Sequence, residues 1–439
     1  MSRLRAPFLA AIVGGAALVS GCNDGIGQTP IGSDDTDGFR LAEVPAMAHI
    51  ARAIDGSDLM TLGDLIEEGD DVVFAEAPNP GDYLTATNTV DDGRERTGRA
   101  PLSVLTWNVA LLDVSLFNVI PYTQSPDMSQ RRRTLPGLAF DSGADIILMQ
   151  EVWLDEDVEA FSKRAVTSGY RVFGHDRGSG NDGLIVFIKA DVIAGGSTSD
   201  VDFAPYASQV GTEYWPGPAI ARGWMHVRFV HKDIGTVHVF NTHMQAFPEN
   251  WLGRVKQARE LGIAMQRARS ETPGFSLVGG DFNSGPYYKS ATWVSPDASS
   301  LDRWHHNAVA WPTLLTYGDL IDAAIMGRPA ADATADIVLG DTVRNDPGAA
   351  EAIPGAVEGW CEQTPQTTFT ATDCNSLYFQ QYAGTEAPAR LDHIFVDNTE
   401  RVIATSSQLV FTQKQAFGDL DIEPSDHYGV RVDLLVTPQ

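Results

Sequence analysis

The chain has few cysteines, few basic residues and no apolar run long enough to span a bilayer comfortably. It contains 3 Cys, and its 31 Lys and Arg face 58 Asp and Glu, so the formal net charge is -27. Such an acidic surface repels polyphosphate backbones, which disfavours tight non-specific binding of nucleic acids. No Cys/His cluster has the spacing of a zinc site. With 439 residues, 43% of them hydrophobic, the chain can still bury a large core, in one large domain or two ordinary ones.

The N-terminus has the pattern of an export signal. Arg3 and Arg5 precede a short apolar run over residues 6–19, and Val19-Ser20-Gly21-Cys22 follows. This predicts a signal peptide over residues 1–21. The VSGC ending resembles a bacterial lipobox, which implies cleavage before Cys22 and a lipid on that cysteine. The expected product is an exported, membrane-anchored lipoprotein in the periplasm or on the cell surface. An ordinary signal peptide or a short anchor is the alternative.

Two further regions have compositions typical of irregular structure. Residues 22–45 are rich in Gly, Asp, Thr and Pro and predict a flexible tether, whereas residues 46–100 give no clear pattern. Residues 325–388 predict an irregular insertion within a catalytic domain that covers residues 101–439. The insertion holds Cys361 and Cys374, and an even remainder of cysteines in an exported protein suggests a disulfide.

From Leu102 onward, short apolar runs of strand length recur along the chain. They are SVLTWNV, ADIILMQEV, GLIVFIK, MHVRFV, TVHVFNTH, FSLVGGDF, LDHIFV and YGVRVDLLV. Between some of them lie helical stretches such as residues 254–269, whose apolar positions recur at helical spacing. Many strands with interspersed helices predict an α/β (α+β) fold in which sheets are covered by helices.

Polar residues of catalytic type stand at the ends of several of these runs. They are Asn108, Gln150, Glu151, Asn241, His243, Asp281, Asn283, Asp392, Asp426 and His427. Strand ends form a rigid platform on which functional groups collect. Each residue alone also has a structural explanation: Asn108 as a turn former, Glu151 as a helix start or His243 as a core histidine.

The stretch LVGGDFNSGP at residues 277–286 shows this ambiguity most clearly. Gly279 and Gly280 are expected to let the backbone turn tightly at the strand end. Asp281 and Asn283, two positions apart, should project to the same side of an extended chain, with Phe282 facing the core. The alternative is that Asp281 and Asn283 simply form an Asx-turn.

As an ordered set, these motifs resemble a known enzyme superfamily. The series WNV, QEVW, NTHMQA, GGDFNSGP, RLDHIFV and SDHYGV, over about residues 102–436, is similar to the endonuclease/exonuclease/phosphatase superfamily, which has the fold of DNase I. The resemblance implies a four-layer α/β/β/α sandwich of two mixed β-sheets flanked by helices. It also implies a metal-dependent phosphoric diester hydrolase.

Some details resemble the neutral sphingomyelinase branch of that superfamily. NTHMQAF looks like the branch's NTH-x-QA motif, and Arg254, Gln257 and Glu260 match its R-x-x-Q-x-x-E helix. ARGWMHVRF is similar to its lysine-containing strand, although Arg222 replaces the lysine. Generic packing and helix-surface polarity remain the alternative. The chain departs from the pattern at His393, where tyrosine is common, and PARLDHIF lacks the inositol 5-phosphatase signature.

The resemblance implies a role for each polar residue at the strand ends. Mg²⁺, or else Mn²⁺ or another divalent cation, would be held by Glu151, with Asn108 nearby and Asp426 through water. His427 would be held by Asp392.

The remaining predicted roles concern the attacking water and the phosphate. Asp281 would orient or deprotonate the water, Asn283 would bind a phosphate oxygen, and His243 would protonate the leaving group or steady the transition state. Whether Asp281 or His427 is the base stays open.

The predicted substrate is a phosphodiester, in the first place a phospholipid headgroup, cleaved in the manner of a sphingomyelinase or phospholipase C. Lipid at Cys22 would hold the enzyme near a membrane, and Tyr287, Tyr288 and Trp293 are candidates for lipid contact. One alternative is an extracellular nuclease, which the acidic balance disfavours. Another is a catalytically silent surface-binding lipoprotein.

Overall fold

A computed structural model describes most of the predicted catalytic domain. The described residues are 97–116, 120–123, 127–175, 182–207, 221–246, 251–285, 310–323 and 391–439. Several predictions lie outside them: the signal peptide, the tether, lipid at Cys22, the insertion, the Cys361–Cys374 disulfide and the aromatic residues 287, 288 and 293. Among the described residues, no helix is long and apolar enough to cross a membrane.

Sheet A has six described strands in the order β13-β16-β1-β4-β6-β5. Its strands are β1 (Ala100–Asn108), β4 (Ile146–Gln150), β5 (Tyr170–Phe173), β6 (Ile185–Lys189), β13 (Val402–Val410) and β16 (Gly429–Val436). β1 and β4 run parallel, and every other neighbouring pair is antiparallel. The sheet is therefore mixed, with its parallel pair at the centre.

Sheet B repeats this arrangement in the order β11-β12-β10-β9-β8-β7. Its strands are β7 (Asp200–Pro205), β8 (Gly223–His231), β9 (Gly235–His243), β10 (Phe275–Asp281), β11 (Leu320–Asp322) and β12 (Asp392–Asp397). β9 and β10 form the central parallel pair, with antiparallel neighbours on both sides. Two small hairpins complete the described strands: β2 (Asp113–Leu116) with β3 (Ile120–Thr123), and β14 (Gln415–Phe417) with β15 (Leu420–Ile422).

In the described part of the chain, four α-helices cover the outer faces of the two sheets. They are α1 (Met128–Asp141), α2 (Asp155–Thr167), α3 (Trp251–Glu271) and α4 (Ala310–Gly318). One apolar cluster fills the space between the sheets and includes Val104, Leu148, Val239 and Leu277. A second lies between sheet A and α1 and α2, and a third between sheet B and α3 and α4. The layers are helix, sheet, sheet and helix, so the predicted four-layer α/β/β/α sandwich is confirmed.

All eight apolar runs singled out in the sequence are strands, and the predicted helix at 254–269 lies within α3. The expectation for Gly279 and Gly280 is wrong, because both lie inside β10 and form no turn. A Cβ on Gly280 would lie 2.0 Å from the Thr242 carbonyl oxygen, and one on Gly279 would lie 2.6 Å from Leu148 Cδ1. The glycines are needed because neighbouring backbone and the facing sheet come so close.

Candidate active site

The candidate site lies at one end of the space between the two sheets. Strands β1 and β4 end at Asn108 and Gln150, and strands β9 and β10 end at His243 and Asp281. β12 is antiparallel to β10, so its first residue, Asp392, pairs with Asp281. Residues 426 and 427 lie two to three positions before β16, which is antiparallel to β1. This topology brings the predicted residues to the same edge.

The Asp281 carboxylate is the central group of the site. Its Oδ2 accepts a hydrogen bond from Asn108 Nδ2 at 3.0 Å and lies 3.5 Å from His243 Nε2 and 3.9 Å from His427 Nε2. Burial raises the pKa of Asp281 to about 7; His427 and the hydrogen bond from Asn108 lower it, and Asp392 raises it further. A carboxyl group with a pKa near neutrality is suited to accept a proton at physiological pH.

Asn108 joins the carboxylates of the two sheets. Its Nδ2 also donates to Glu151 Oε1 at 3.1 Å, while its Oδ1 accepts the Ala110 N–H at 3.0 Å. In this arrangement the amide nitrogen faces both acids and the amide oxygen is already engaged. The orientation suits a link between Glu151 and Asp281, and the predicted role of Asn108 as a metal ligand stays a prediction.

Glu151 stands just beyond β4 in a left-handed backbone conformation, with φ of 61°. The Trp153 indole N–H donates to its Oε2 at 3.5 Å. Burial raises the pKa of Glu151, and the negative charge of Asp426 raises it further, while the hydrogen bond from Asn108 opposes both. The structure therefore places Asp426 in the electrostatic neighbourhood of Glu151. The alternative that Glu151 begins a helix is wrong, since α2 begins at Asp155.

His427 and Asp392 form a hydrogen-bonded pair. His427 Nδ1 donates to Asp392 Oδ2 at 2.7 Å, which leaves Nε2 directed toward Asp281. Burial alone would lower the pKa of His427, but the carboxylates of Asp392 and Asp281 outweigh it and raise this pKa well above its ordinary value. The two carboxylates therefore favour the imidazolium form of the ring.

His243 has the opposite electrostatic character. Burial lowers its pKa well below the ordinary value, and the positive charges of Arg222 and His427 lower it further. A neutral imidazole can donate a hydrogen bond but has no extra proton to release. Of the two predicted roles, steadying a transition state fits this environment better than protonation of a leaving group.

Asn283 occupies a different geometry from the one expected. Its φ is 48°, so the chain leaves the extended conformation before this residue. Its N–H donates to Asp281 Oδ1 at 2.9 Å, which is the Asx-turn, and its Nδ2 donates to the Met244 carbonyl at 3.1 Å. The extended-chain argument for Asp281 and Asn283 is therefore wrong, whereas Phe282 packs into the core beside α3 and α4 as expected.

A family model and several solved structures match this chain. The model described as Endonuclease/Exonuclease/phosphatase family matches residues 105–427. The chain belongs to this family. No curated protein matches the chain.

Solved structures of this family's fold cover most of the chain at low identity. Sphingomyelinase C from Streptomyces griseocarneus is 18% identical, with a TM-score of 0.47 and coverage of 76% of this chain and 99% of that one. Beta toxin from Staphylococcus aureus is 14% identical, with a TM-score of 0.46 and coverage of 75% and 99%. D. rerio TDP2 complexed with a single-strand DNA product is 16% identical, with a TM-score of 0.46 and coverage of 76% and 99%.

The donor set of the site fits a hard divalent cation. Asp281, Asp392 and His427 offer ligand atoms that lie within 4.8 Å of one another. Asp392 Oδ2 and His427 Nδ1 are bonded to each other, however, so this pair is better suited to proton chemistry. Glu151 and Asp281 add two buried carboxyl groups, and Asp426 places further negative charge near Glu151. Oxygen donors with excess negative charge are what Mg²⁺ prefers.

The helix residues that resemble the sphingomyelinase branch hold the loop after β9. Gln257 Oε1 accepts the Gln245 N–H at 2.9 Å, and Arg254 donates to the Gln245 carbonyl at 2.7 Å. Glu260 Oε2 accepts the Ala207 N–H at 2.8 Å. The contacts of Gln257 and Arg254 fix the backbone that follows His243, and the contact of Glu260 fixes the segment after β7.

Two polar residues at strand ends link the sheets beneath the site. Gln150 Nε2 donates to Asn241 Oδ1 at 2.7 Å and to Thr106 Oγ1 at 3.1 Å. Asn241 Nδ2 in turn donates to the carbonyls of Met149 and Ile185. The hydrogen bonds between Gln150, Asn241 and these carbonyls join the two sheets inside the core.

Arg131 is a buried residue of the site region that the sequence did not reveal. Its guanidinium donates to the carbonyls of Val109 and Ala110 at 2.9 and 2.8 Å, and to that of Pro424 at 2.7 Å. It therefore ties the segment after Asn108 to the segment before Asp426. The only sequence signal is the run Arg131–Arg133, and nothing in that run distinguishes the buried arginine from its neighbours.

Proposed function

We propose that this chain is an exported, divalent-cation-dependent phosphodiesterase that hydrolyses a phospholipid headgroup in the manner of a sphingomyelinase or phospholipase C. The observation that carries the proposal is the convergence on Asp281 of an acid–imidazole pair from one side and an Asn108–Glu151 pair from the other. Family membership supports hydrolysis of a phosphate ester. The lipid substrate is supported by the sphingomyelinase-like motifs around His243 and by the predicted lipid at Cys22.

The charges of the site suggest how its residues divide the reaction. Asp281, with a pKa of about 7, takes a proton from the attacking water as the new P–O bond forms. In an in-line attack the leaving oxygen departs on the side opposite the water. Because His427 Nε2 lies only 3.9 Å from Asp281 Oδ2, the ring orients the Asp281 carboxylate toward the water. The leaving oxygen takes its proton from solvent as the old P–O bond breaks. Asp392 holds the ring by its Nδ1 throughout.

Glu151, with Asp426 beside it, is the candidate position for the cation, which we propose is Mg²⁺. A bound divalent cation would neutralise charge on the phosphate and stabilise the leaving oxygen. Arg222 is buried and interacts electrostatically with Glu151 and Asp281, so it adds positive charge near both carboxyl groups.

The full chain, purified in detergent, tests the proposal. With Mg²⁺ it should release phosphocholine from sphingomyelin in mixed micelles, and excess EDTA or His427→Ala should abolish release. Plasmid DNA incubated under the same conditions should stay unnicked. Nicking without phosphocholine release would favour the nuclease. If the wild type hydrolyses bis(4-nitrophenyl) phosphate no faster than His427→Ala, the enzyme proposal itself is wrong.

A further inference from the structure

Strand β12 carries two consecutive residues that serve opposite faces of sheet B. Side chains alternate along a strand, so Asp392 faces the space between the sheets and His393 faces the helices. The neighbours agree: Ile394 packs in the core between the sheets, and Phe395 packs beneath α3 and α4. His393 is fully buried and lies against the rings of Phe282 and Phe395.

The ring nitrogens of His393 contact the loop after β10 and an acid on the neighbouring strand. Its Nε2 lies 2.8 Å from the Ser284 carbonyl oxygen, and its Nδ1 lies 3.2 Å from Asp322 Oδ2. Asp322, on β11, also accepts the Trp311 indole N–H from α4 at 3.2 Å. A second acid–imidazole pair therefore stands behind β12, back to back with Asp392 and His427.

The partners of His393 decide where its hydrogens lie. A backbone carbonyl only accepts, so Nε2 carries a hydrogen and donates it to Ser284. Nδ1 and Asp322 Oδ2 share a further hydrogen, since two bare lone pairs would repel at 3.2 Å. All of these groups are buried, so the ring has no competing solvent contacts and its orientation is fixed.

The loop held by His393 is the one that shapes the Asp281 carboxylate. Between Asp281 and Ser284 the chain makes the Asx-turn in which Asp281 Oδ1 accepts the Asn283 N–H. Asn283 is in a left-handed conformation, which asparagine tolerates better than most non-glycine residues and which this Asx-turn requires. The bond from His393 to Ser284 follows one residue later and is part of that constraint.

We propose that His393 and Asp322 form a positioning pair that holds residues 282–285 and thereby fixes the rotamer of Asp281 for catalysis. The pair touches neither substrate nor reacting atoms, and its effect on rate rests on the proposed function. Tyrosine, common at this position in the resembling motif, could not supply the same two ring-nitrogen contacts.

Three substitutions of His393 and one matched control test the proposal. His393→Gln keeps an N–H near the Nε2 position and can still donate to Ser284. His393→Asn is too short for that bond, and His393→Leu removes it. The control is His238→Leu, because His238 is a buried histidine on the helix side of the same sheet that contacts the Thr272 carbonyl at 2.8 Å, away from the site.

Two measurements are made on each variant: hydrogen–deuterium exchange of the peptide covering 275–285, and kcat and KM for bis(4-nitrophenyl) phosphate with Mg²⁺. His393→Leu and His393→Asn should speed exchange at 282–285 and lower kcat about 10- to 100-fold, with KM changed by less than about twofold. His393→Gln should keep most of the wild-type protection from exchange at 282–285 and most of the wild-type kcat. The control, His238→Leu, should lower the stability of the fold but should change neither the exchange at 282–285 nor kcat.

Exchange is measured without substrate, so it separates this proposal from the proposed function. If the wild type is inactive on every phosphodiester, the exchange data alone decide the positioning role. Unchanged exchange at 282–285 in His393→Asn, or equal behaviour of His393→Asn and His393→Gln, would overturn the inference. The same holds if the control lowers kcat as much as His393→Asn.

Discussion

At the residue scale, the function of the site depends on how buried charge is arranged around Asp281. Its carboxylate is surrounded by one imidazolium, one neutral imidazole and one amide, each contributed by a different strand end or loop. Burial opposes ionisation of Asp281, and the imidazolium of His427 favours it. The balance gives a group that can change its protonation state near neutral pH.

Asp281→Asn should change the pH dependence of stability in the absence of divalent cations. The pKa of Asp281 is raised from 3.8 to about 7, so the folded state binds more protons than the unfolded state in that window. The wild type therefore loses unfolding free energy as pH rises through the window, by at most about 1.4 kcal/mol per pH unit from this group. The variant lacks this loss.

Urea unfolding in excess EDTA, from pH 4.5 to 8, measures the effect. The unfolding free energy of the variant minus that of the wild type should rise with pH and level off above about pH 7. A difference that does not vary with pH would contradict the burial-driven pKa.

Glu151→Gln should separate cation binding from folding. Glutamine can still accept the hydrogen bond from Asn108, but it removes the negative charge that stands near Asp426. We expect Mg²⁺ to raise the melting temperature of the wild type and to bind the variant at least about tenfold more weakly. Calorimetry with and without EDTA measures this. Glu159→Gln, an exposed residue of α2 paired with Lys163, is the control and should respond to Mg²⁺ as the wild type does.

At the element scale, the ends of the two central parallel pairs create the site. Parallel strands bring their carboxyl ends to the same edge, and the two sheets face each other so that both edges meet. Antiparallel β12 and β16 then start where these strands end, which adds Asp392 and His427. The polar residues are catalytic candidates because of where their strands stop.

Gly280→Ala should disrupt the pairing of β9 and β10. A Cβ at residue 280 would lie 2.0 Å from the Thr242 carbonyl oxygen, and backbone on both strands would have to move. We expect a loss of about 3 kcal/mol of unfolding free energy, measured by chemical denaturation. Gly195→Ala, at a turn where a Cβ meets nothing within 4 Å, should change stability by less than about 0.5 kcal/mol. Equal effects at the two positions would show that close strand approach is not the cause.

Arg131→Lys should loosen two segments of the site together. Lysine keeps the charge, but its donors share one nitrogen and cannot match the planar fork with which Arg131 reaches the carbonyls of Val109, Ala110 and Pro424. We expect a loss of about 2 to 4 kcal/mol of unfolding free energy and a lower kcat. Arg133→Lys, two residues along the same helix and exposed, should leave both unchanged. If Arg131→Lys retained the full kcat, the hydrogen bonds of Arg131 would contribute to stability alone and not to the reaction rate.

The sequence predicted the strands whose apolar residues are continuous or alternate regularly, and it missed strands such as β7 and β13. β4 and β6 are buried on both faces, so IILMQ and IVFIK are apolar almost throughout. β7 and β13 lie at sheet edges, and DVDFAP and VIATSSQLV contain the polar residues that edges tolerate. Helix α1 was missed because it contains Pro136 and three consecutive arginines, which obscure its apolar face.

The sequence pattern likewise revealed only part of the candidate site. The order of Asn108, Glu151, Asp281 and His427 along the chain was recognisable because each follows or precedes an apolar run. The conformation of Asn283 and the burial of Arg131 depend on contacts with Met244 and Pro424, which are distant in sequence. No local pattern contains that information.

At the scale of the whole molecule, the acidic surface and the predicted lipid anchor are consistent with a tethered enzyme. A formal charge of -27 disfavours polyanionic polymers, whereas a single headgroup phosphate needs only the local charge of the site. Cys22→Ser in the full chain should abolish lipid attachment. In Triton X-114 phase separation, the lipid-modified wild type should partition into the detergent phase, whereas the variant should stay in the aqueous phase. If both proteins stayed in the aqueous phase, the N-terminus would be an ordinary signal peptide and the predicted lipid at Cys22 would be wrong.

The pairing of β1 with β16 has a consequence for biosynthesis. Ala100 lies opposite Val436, and β16 separates β1 from β13, so sheet A cannot be completed until residues 429–436 have been synthesised. His427 lies two residues before that strand, and its partner Asp392 belongs to the other sheet. A nascent polypeptide that has not yet formed β16 therefore lacks the hydrogen-bonded pair of His427 and Asp392. Hydrolytic activity should therefore arise only after β16 has joined sheet A.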